Sequence, residues 1–255
     1  MQLKGKTALI AGAGRNNGKA IALTYAREGA DLILVSRARG DELDQTAKEC
    51  ASFGVQTLSV LADLGKHEEA TRAARAGMER FGKVDVIVSV AGIRPQKLPW
   101  EYSYEEWLQV FAINCHSTFS LAKALIPGMI ERGQGGSIIA LGGGVSLTAW
   151  SGHGAAVTAS KHGLYGLIKT LARAGGPHGI RANLIALMSI ENQRLNPDWY
   201  SNSEGDPNTR AKLAAIPLQR FGTPEEVAKV ALFLASDQSS YITGDRICCA
   251  GGQIM

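Results

Sequence analysis

Apolar positions fall into short continuous runs that alternate with longer stretches of helical spacing. The first run is Ala8-Leu9-Ile10-Ala11, followed by the turn Gly12-Ala13-Gly14-Arg15-Asn16-Asn17-Gly18. After the turn, Ala20, Ile21, Leu23, Thr24 and Tyr25 recur at helical spacing until Gly29 supplies a stop. The pattern then repeats. Asp31–Val35 is a strand, Asp41–Phe53 a helix closed by Gly54, Val55–Leu61 a strand, and Lys66–Phe81 a helix closed by Gly82. Val84–Val90 is nearly all apolar, as in a strand covered on both faces. Ser103-Tyr104-Glu105-Glu106 has the form of a capping box and opens a long helix reaching Ile130, which Pro127 bends or ends. Strands follow at Ser137–Leu141 and Ile180–Ala186, with a helix at Ala155–Ala174 between them. Thr223-Pro224-Glu225-Glu226 caps the last helix, and Arg246–Cys249 is a seventh, short strand. Repeated β-α-β units predict an α/β fold, a doubly wound parallel sheet with helices on both faces, spanning residues 1–255. The long irregular region begins at Ser189 and runs to Pro207, and residues 189–216 are the expected substrate loop or lid.

The glycine turn carries the first chemical signal. A strand–turn–helix unit aims backbone N–H groups and the positive end of a helix at one point, which suits a diphosphate. A glycine turn by itself also serves as a plain turn. The strand before it and the helix after it favour nucleotide binding. Composition narrows the classes. A chain of 255 residues, 45% apolar, fits one α/β domain or two small ones. A net charge of +4 with no Lys/Arg block gives no reason to expect nucleic acid. Cys50, Cys115, Cys248 and Cys249 form no C-x-x-C pair and no metal-like spacing with histidine. They are expected to be buried thiols in a reducing compartment, with no metal site. No apolar run reaches membrane-spanning length, and the N-terminus runs straight into the first strand, so a cytoplasmic protein is expected.

Further landmarks stand in a recognisable order: Gly12-x-x-x-Asn16-x-Gly18, Asp63-Leu64 after the third strand, Ala91-Gly92 closing the fourth, and Asn114 in the long helix. Ser160-Lys161, Ile180-Arg181-Ala182-Asn183, and the stretch from Pro217-Leu218-x-Arg220-x-Gly222-x-Pro224-Glu225-Glu226 to Ile242-Thr243-Gly244 complete them. Through these residues the chain resembles the short-chain dehydrogenases/reductases over nearly its whole length. The resemblance implies a single-domain Rossmann-type sheet of about seven strands and an NAD(P)-linked oxidoreductase. It also implies a homotetramer or dimer. Gly12, Arg15, Asn17 and Gly18 would hold the dinucleotide, Asp63 and Leu64 its adenine, Ala91 and Gly92 its middle, and Lys161 its nicotinamide ribose. In the family a tyrosine exchanges the proton, a lysine lowers that tyrosine's pKa, a serine polarises the substrate oxygen and an asparagine holds a water relay. Here Val157 stands four residues before Lys161, and Leu141-Gly142-Gly143-Gly144 fills the serine's place, Gly143 or Gly144 replacing it. Asn16 replaces a glycine, Ser89-Val90 a pair of asparagines, Leu187-Met188 a Pro-Gly and Ala250 an aspartate. Of the catalytic quartet, Asn114 and Lys161 remain.

Three readings follow. Hydride transfer persists if the substrate is activated or imine-like, or if another side chain gives the proton. His153 is the first candidate acid; Thr158, Ser146, Ser151 and Tyr200 rank below it, and His162 would point away if Lys161 points in. The protein could instead be a non-catalytic nucleotide-binding subunit or sensor. It could also be a lyase or isomerase using Lys161 as a Schiff-base amine. The residues closing the second strand, Ser36-Arg37-Ala38-Arg39, lack the carboxylate that would repel a 2′-phosphate. Arg37 with Arg15 therefore predicts NADP(H) over NAD(H). Arg94, Trp100, Trp150, His153, Met188, Trp199 and Tyr200 bound the expected substrate pocket and suit an apolar or aromatic small molecule. Ala112, Leu121, Ala124, Leu125, Leu164, Leu167, Leu171 and Ala172 form wide helical stripes, which suit pairing between subunits or burial against the chain's own sheet.

Overall fold

A computed structural model describes residues 1–37, 40–149, 151–191, 211 and 213–254. Seven strands form one parallel sheet in the order β3-β2-β1-β4-β5-β6-β7. They are β1 (Thr7–Ala11), β2 (Asp31–Ser36), β3 (Thr57–Leu61), β4 (Val86–Ser89), β5 (Gly136–Leu141), β6 (Ile180–Leu187) and β7 (Arg246–Cys249). Strand residues alternate between two cores. Ala8, Ile10, Leu32 and Leu34 face the helices α1 (Asn16–Arg27), α2 (Gly40–Ala51) and α7 (Pro224–Ala235). Leu9, Ala11, Ile33 and Val35 face α3 (His67–Phe81), α5 (Ser117–Arg132) and α6 (Ala155–Gly175). Burial on both faces is why these strands read as unbroken apolar runs.

The predicted elements are all present, with ends shifted by up to two residues, except in the long helix. That stretch is divided. It runs as α4 (Tyr104–Phe111), a π-helical turn at Ala112–His116, and then α5. Pro127 neither ends α5 nor stops it short of Arg132; the helix closes at Gly133 in the left-handed region, φ 64°. A proline removes a single N–H from the ladder, and Leu125 and Met129, both buried, keep that segment packed on the sheet. Both capping boxes form. The Glu106 N–H donates to Ser103 Oγ at 3.1 Å, and the Ser103 N–H to the Glu106 carboxylate at 3.0 Å. Thr223 and Glu226 repeat the exchange at 3.3 and 2.9 Å.

The expected buried thiols need correction. All four cysteines are free, but Cys248 is exposed and Cys115 and Cys249 are half-buried. Cys248 and Cys249 belong to β7, an edge strand with one neighbour, so burial there is incomplete. The apolar helical stripes are used inside the subunit: Leu121, Leu125, Leu164 and Ala172 are buried against the sheet, with Ala124, Leu167 and Leu171 packed beside them. Most of the expected substrate loop, and with it Trp199 and Tyr200, lies outside the described residues, as do Ala38, Arg39 and Trp150. Among the described residues no helix is long and apolar enough to cross a membrane, and no cluster of His, Cys, Asp and Glu could hold a metal.

Candidate active site

The order of strands reverses between β1 and β4, and a cavity of about 800 Å³ opens at the strand ends there. Ligands bind at such a switch point in open α/β sheets. Its floor is the glycine turn. Gly12 has φ 99°, and a Cβ there would stand 2.9 Å from the Ala91 backbone nitrogen. A Cβ on Gly18 would stand 1.8 Å from the Gly12 carbonyl oxygen, so the first turn of α1 packs directly on the strand end. The Gly12 and Ala13 N–H groups both donate to the Val35 carbonyl, at 2.8 and 3.1 Å, which fixes the turn. Arg15 caps α1 in extended conformation, and Asn16 takes φ 49°, a left-handed geometry that asparagine tolerates better than most residues. Asn17 Oδ1 is buried without a hydrogen-bond partner. It is an acceptor held ready at the cradle.

Arg15, Asn17, Ser36, Arg37 and Glu42 line this end of the cavity. Gly18 supports it from behind. Asp63 and Leu64 are not among the lining residues. The Asp63 carboxylate accepts from the Gly65 N–H at 3.0 Å, and Leu64 is buried in the core under α3. Both follow the end of β3, two strands from β1 on the same edge of the switch point as the glycine turn.

At the other end the walls are Ala91–Arg94 after β4, Leu141–Val145 after β5, the start of α6, and Leu187–Glu191 after β6. Lys161 reaches in from α6 and is 8% exposed. Its Nζ donates to the Leu141 carbonyl at 2.6 Å. Burial pushes its pKa down from 10.5 to about 8; the Cys115 thiol opposes the shift and Arg94 adds to it. Asn114 sits in the π turn, 1% exposed. Its Nδ2 donates to the Ile93 carbonyl at 3.0 Å and to Ser160 Oγ at 3.2 Å, and its Oδ1 accepts from the Ile93 N–H at 2.8 Å. Asn114 therefore clamps the loop after β4. A Cβ on Gly92 would stand 3.3 Å from Asn114 Oδ1 and 3.7 Å from Lys161 Nζ, so glycine keeps both groups accessible.

Among the described residues, the positions of the missing tyrosine and serine are filled by apolar side chains and glycines. Val157 is 2% exposed and packs with Ile93, Tyr102, Trp107 and Val145. A Cβ on Gly142 would lie 2.5 Å from Leu184, and Gly143 has φ 83°. Ser146 is buried and donates to the Gly143 carbonyl at 2.7 Å, outside the cavity lining. His153, the expected acid, lines the cavity with Ser151 and Thr158 but is exposed at its mouth. His162 turns away, its Nδ1 at 2.9 Å from the Thr158 carbonyl. Of the expected substrate-pocket residues, Arg94, His153 and Met188 line the cavity, whereas Trp100 is 79% exposed and does not. Gln96, Glu42 and Glu191 line it unforeseen; each follows a strand end closely, which was the available signal.

Comparison with known proteins agrees with this geometry. A profile of the family described as Enoyl-(Acyl carrier protein) reductase matches residues 12–253. An uncharacterized NAD-dependent oxidoreductase of Mycobacterium tuberculosis is 32% identical over 260 residues, covering 96% of this chain and 94% of the relative. The 3-oxoacyl-(acyl-carrier-protein) reductase of Thermotoga maritima is 32% identical over 255 residues, the whole of both chains. The solved short-chain dehydrogenase/reductase of Serratia marcescens superposes with a TM-score of 0.91 at 28% identity, covering 99% of each chain.

Proposed function

The chain belongs to the short-chain dehydrogenase/reductase family, and from that premise we propose that it is an NADP(H)-linked oxidoreductase that moves hydride at a site without a tyrosine acid. The observation that carries this reading is the continuity of one cavity from the glycine cradle to Lys161. The residues fit a dinucleotide. Gly12 and Gly18 stand where any side chain would collide, and the buried Asn17 Oδ1 lacks a partner that a ligand N–H or O–H would supply. Arg15 and Arg37 would hold a 2′-phosphate; Glu42 shares that end, and two guanidiniums outweigh its single carboxylate. Lys161 would bind the nicotinamide ribose, with Asn114 fixing the loop that faces it. When bound, the nicotinamide supplies or takes up the hydride.

Val157 cannot exchange a proton, and loss of general acid help is worth about 10²–10⁴ in rate. The acceptor is therefore an activated small molecule. Lys161 and Arg94 bring positive charge to the reacting end, which opposes the cationic iminium the sequence suggested and favours a neutral or anionic acceptor. Val90, Ile93, Leu141, Val145 and Met188 give that end an apolar wall. The test is calorimetric titration with NADPH and NADH. NADPH is expected to bind at least about tenfold more tightly, and Arg37→Ala to erase most of that margin, a change of about 1.4 kcal/mol. Tighter NADH binding, or a preference untouched by Arg37→Ala, would refute the clamp; binding of neither would refute the oxidoreductase reading.

A further inference from the structure

Resting on the hydride-transfer reading, we infer that the Lys161 ammonium is the acid in this site, giving its proton to the substrate oxygen across the space beside Val157. The described ionisable residues of the cavity sort by place. Arg15, Arg37 and Glu42 lie at the glycine-turn end. Arg94, His153 and Glu191 are exposed at the mouth. Among them, Lys161 alone is buried where the reaction would occur. It follows Val157 by four residues on α6, so the two share a helix face, and helical side chains lean toward the N-terminus. The Lys161 chain thus runs toward the position that a tyrosine would have filled. An ammonium has three N–H donors. The Leu141 carbonyl takes one, leaving two for a ribose hydroxyl and a substrate oxygen.

The groups around Lys161 suit the role. Arg94 approaches from the loop after β4 and Cys115 from the π turn, while β5 presents the Leu141 carbonyl. His162, next in sequence, is turned to the Thr158 carbonyl. Glu191 and His153 face from the mouth. With a pKa near 8, the amine is charged at neutral pH and still releases its proton readily. In reduction of a carbonyl, the carbon gains hydride and the C=O π pair moves to oxygen. The oxygen forms an O–H bond as one Lys161 N–H bond breaks. The products are an alcohol, the oxidised nicotinamide and a neutral Lys161 amine, which solvent reprotonates.

The test compares wild type with Lys161→Arg, which keeps the charge and the donors but cannot release a proton. Two probes are used at saturating NADPH: 2,3-butanedione, which needs hydride and a proton, and N-methyl-3,4-dihydroisoquinolinium, which needs hydride alone and whose weaker binding at a positive site is removed by comparing kcat at saturation. The ratio of kcat for butanedione to kcat for the iminium should fall by about 10²-fold or more in Lys161→Arg. In wild type, butanedione turnover should decline above about pH 8 while iminium turnover stays level. A readout free of turnover is acetylation of the apoprotein followed by mass spectrometry, in which the pH dependence of Lys161 labelling should have its midpoint near 8. An unchanged ratio would mean the proton comes from elsewhere, and a labelling midpoint near 10.5 would mean the amine is not tuned; either overturns the inference. Equal loss of both activities together with NADPH affinity would leave Lys161 a ribose ligand only. Wild-type protein that binds NADPH but reduces neither probe would refute the hydride reading itself, and the inference with it.

Discussion

Replacing Lys161 with methionine measures what its burial costs the fold. In the unfolded chain the amine titrates at its ordinary 10.5, and in the folded protein at about 8. Between these values the unfolded chain holds the extra proton, so wild-type stability rises with pH across that window, while below it the group's penalty is at its full value and does not change with pH. At 1.36 kcal/mol per pKa unit, that penalty is about 3 kcal/mol, nearly all of it present at pH 7 and about 1 kcal/mol of it left at pH 10. Lys161→Met removes the penalty. It also strips the Leu141 carbonyl of its partner, which costs about 1–3 kcal/mol at any pH. The net effect at one pH is therefore small, and the difference between two pH values is decisive. Urea unfolding of cofactor-free wild type and Lys161→Met at pH 7 and pH 10 should show the variant's relative stability falling by about 2–3 kcal/mol at the higher pH. A change within about 0.5 kcal/mol, inside the usual extrapolation error, would refute the reasoning, because the amine would then titrate as if in water.

Two further outcomes test the cradle and the frame behind it. Gly18→Ala puts a methyl 1.8 Å from the Gly12 carbonyl oxygen, so the turn must open; NADPH affinity should drop at least about tenfold by calorimetry, and wild-type affinity would sink the close-packing argument. Asp85, 5% exposed, accepts from the Thr7 N–H at 2.8 Å and pairs with Arg132 at 3.1 Å and Lys83 at 3.4 Å. Asp85→Ala leaves Arg132 and the start of β1 without that partner, and should lower stability by about 3 kcal/mol, or Tm by about 6–12 °C; calorimetry showing less than about 2 °C would contradict it.

What the sequence revealed followed from periodicity and caps. Strands buried on both faces read as apolar runs, and the centres of β1, β2 and β4 do; the Ser103 and Thr223 boxes use local chemistry and formed where expected. The π turn at Ala112–His116 was not legible, because inserting one residue into a helix needs no special side chain. Of the two outcomes expected at Pro127, the helix does not end there, and buried Leu125 and Met129 keep the segment packed on the sheet. At the site, Gly12, Gly18, Lys161 and Val157 could be placed because turns and helix phase fix direction. Trp100 could not, since a loop aromatic carries no phase, and it points to solvent. Asp63 stands where the resemblance puts it, directly after β3, but outside the described lining of the cavity.

The two departures from the resemblance differ in kind, and the difference bears on the proposed reading. Where the resemblance expects a tyrosine, Val157 belongs to an apolar cluster with Ile93, Val145, Tyr102 and Trp107. Along the wall after β5 the constraint lies in the backbone and its neighbours: the Leu184 side chain closes the space at Gly142, and the φ of 83° at Gly143 penalises any residue but glycine. A serine at Gly142 therefore needs the buried Leu184 side chain to shift, and one at Gly143 needs a strained left-handed backbone. Lys161 hydrogen-bonds to the last carbonyl of that same strand. The glycine wall and the buried amine consequently act together: residues Gly142–Val145 directly after β5 present no side-chain donor, and under the proposed reading the amine anchored on Leu141 is the buried group that meets a substrate oxygen. At the other end, Gly12 and Gly18 stand where any side chain would meet backbone, so the strand end and the first turn of α1 stay closely packed. That cradle and the buried amine bound one cavity, which is the arrangement the proposed dinucleotide chemistry requires.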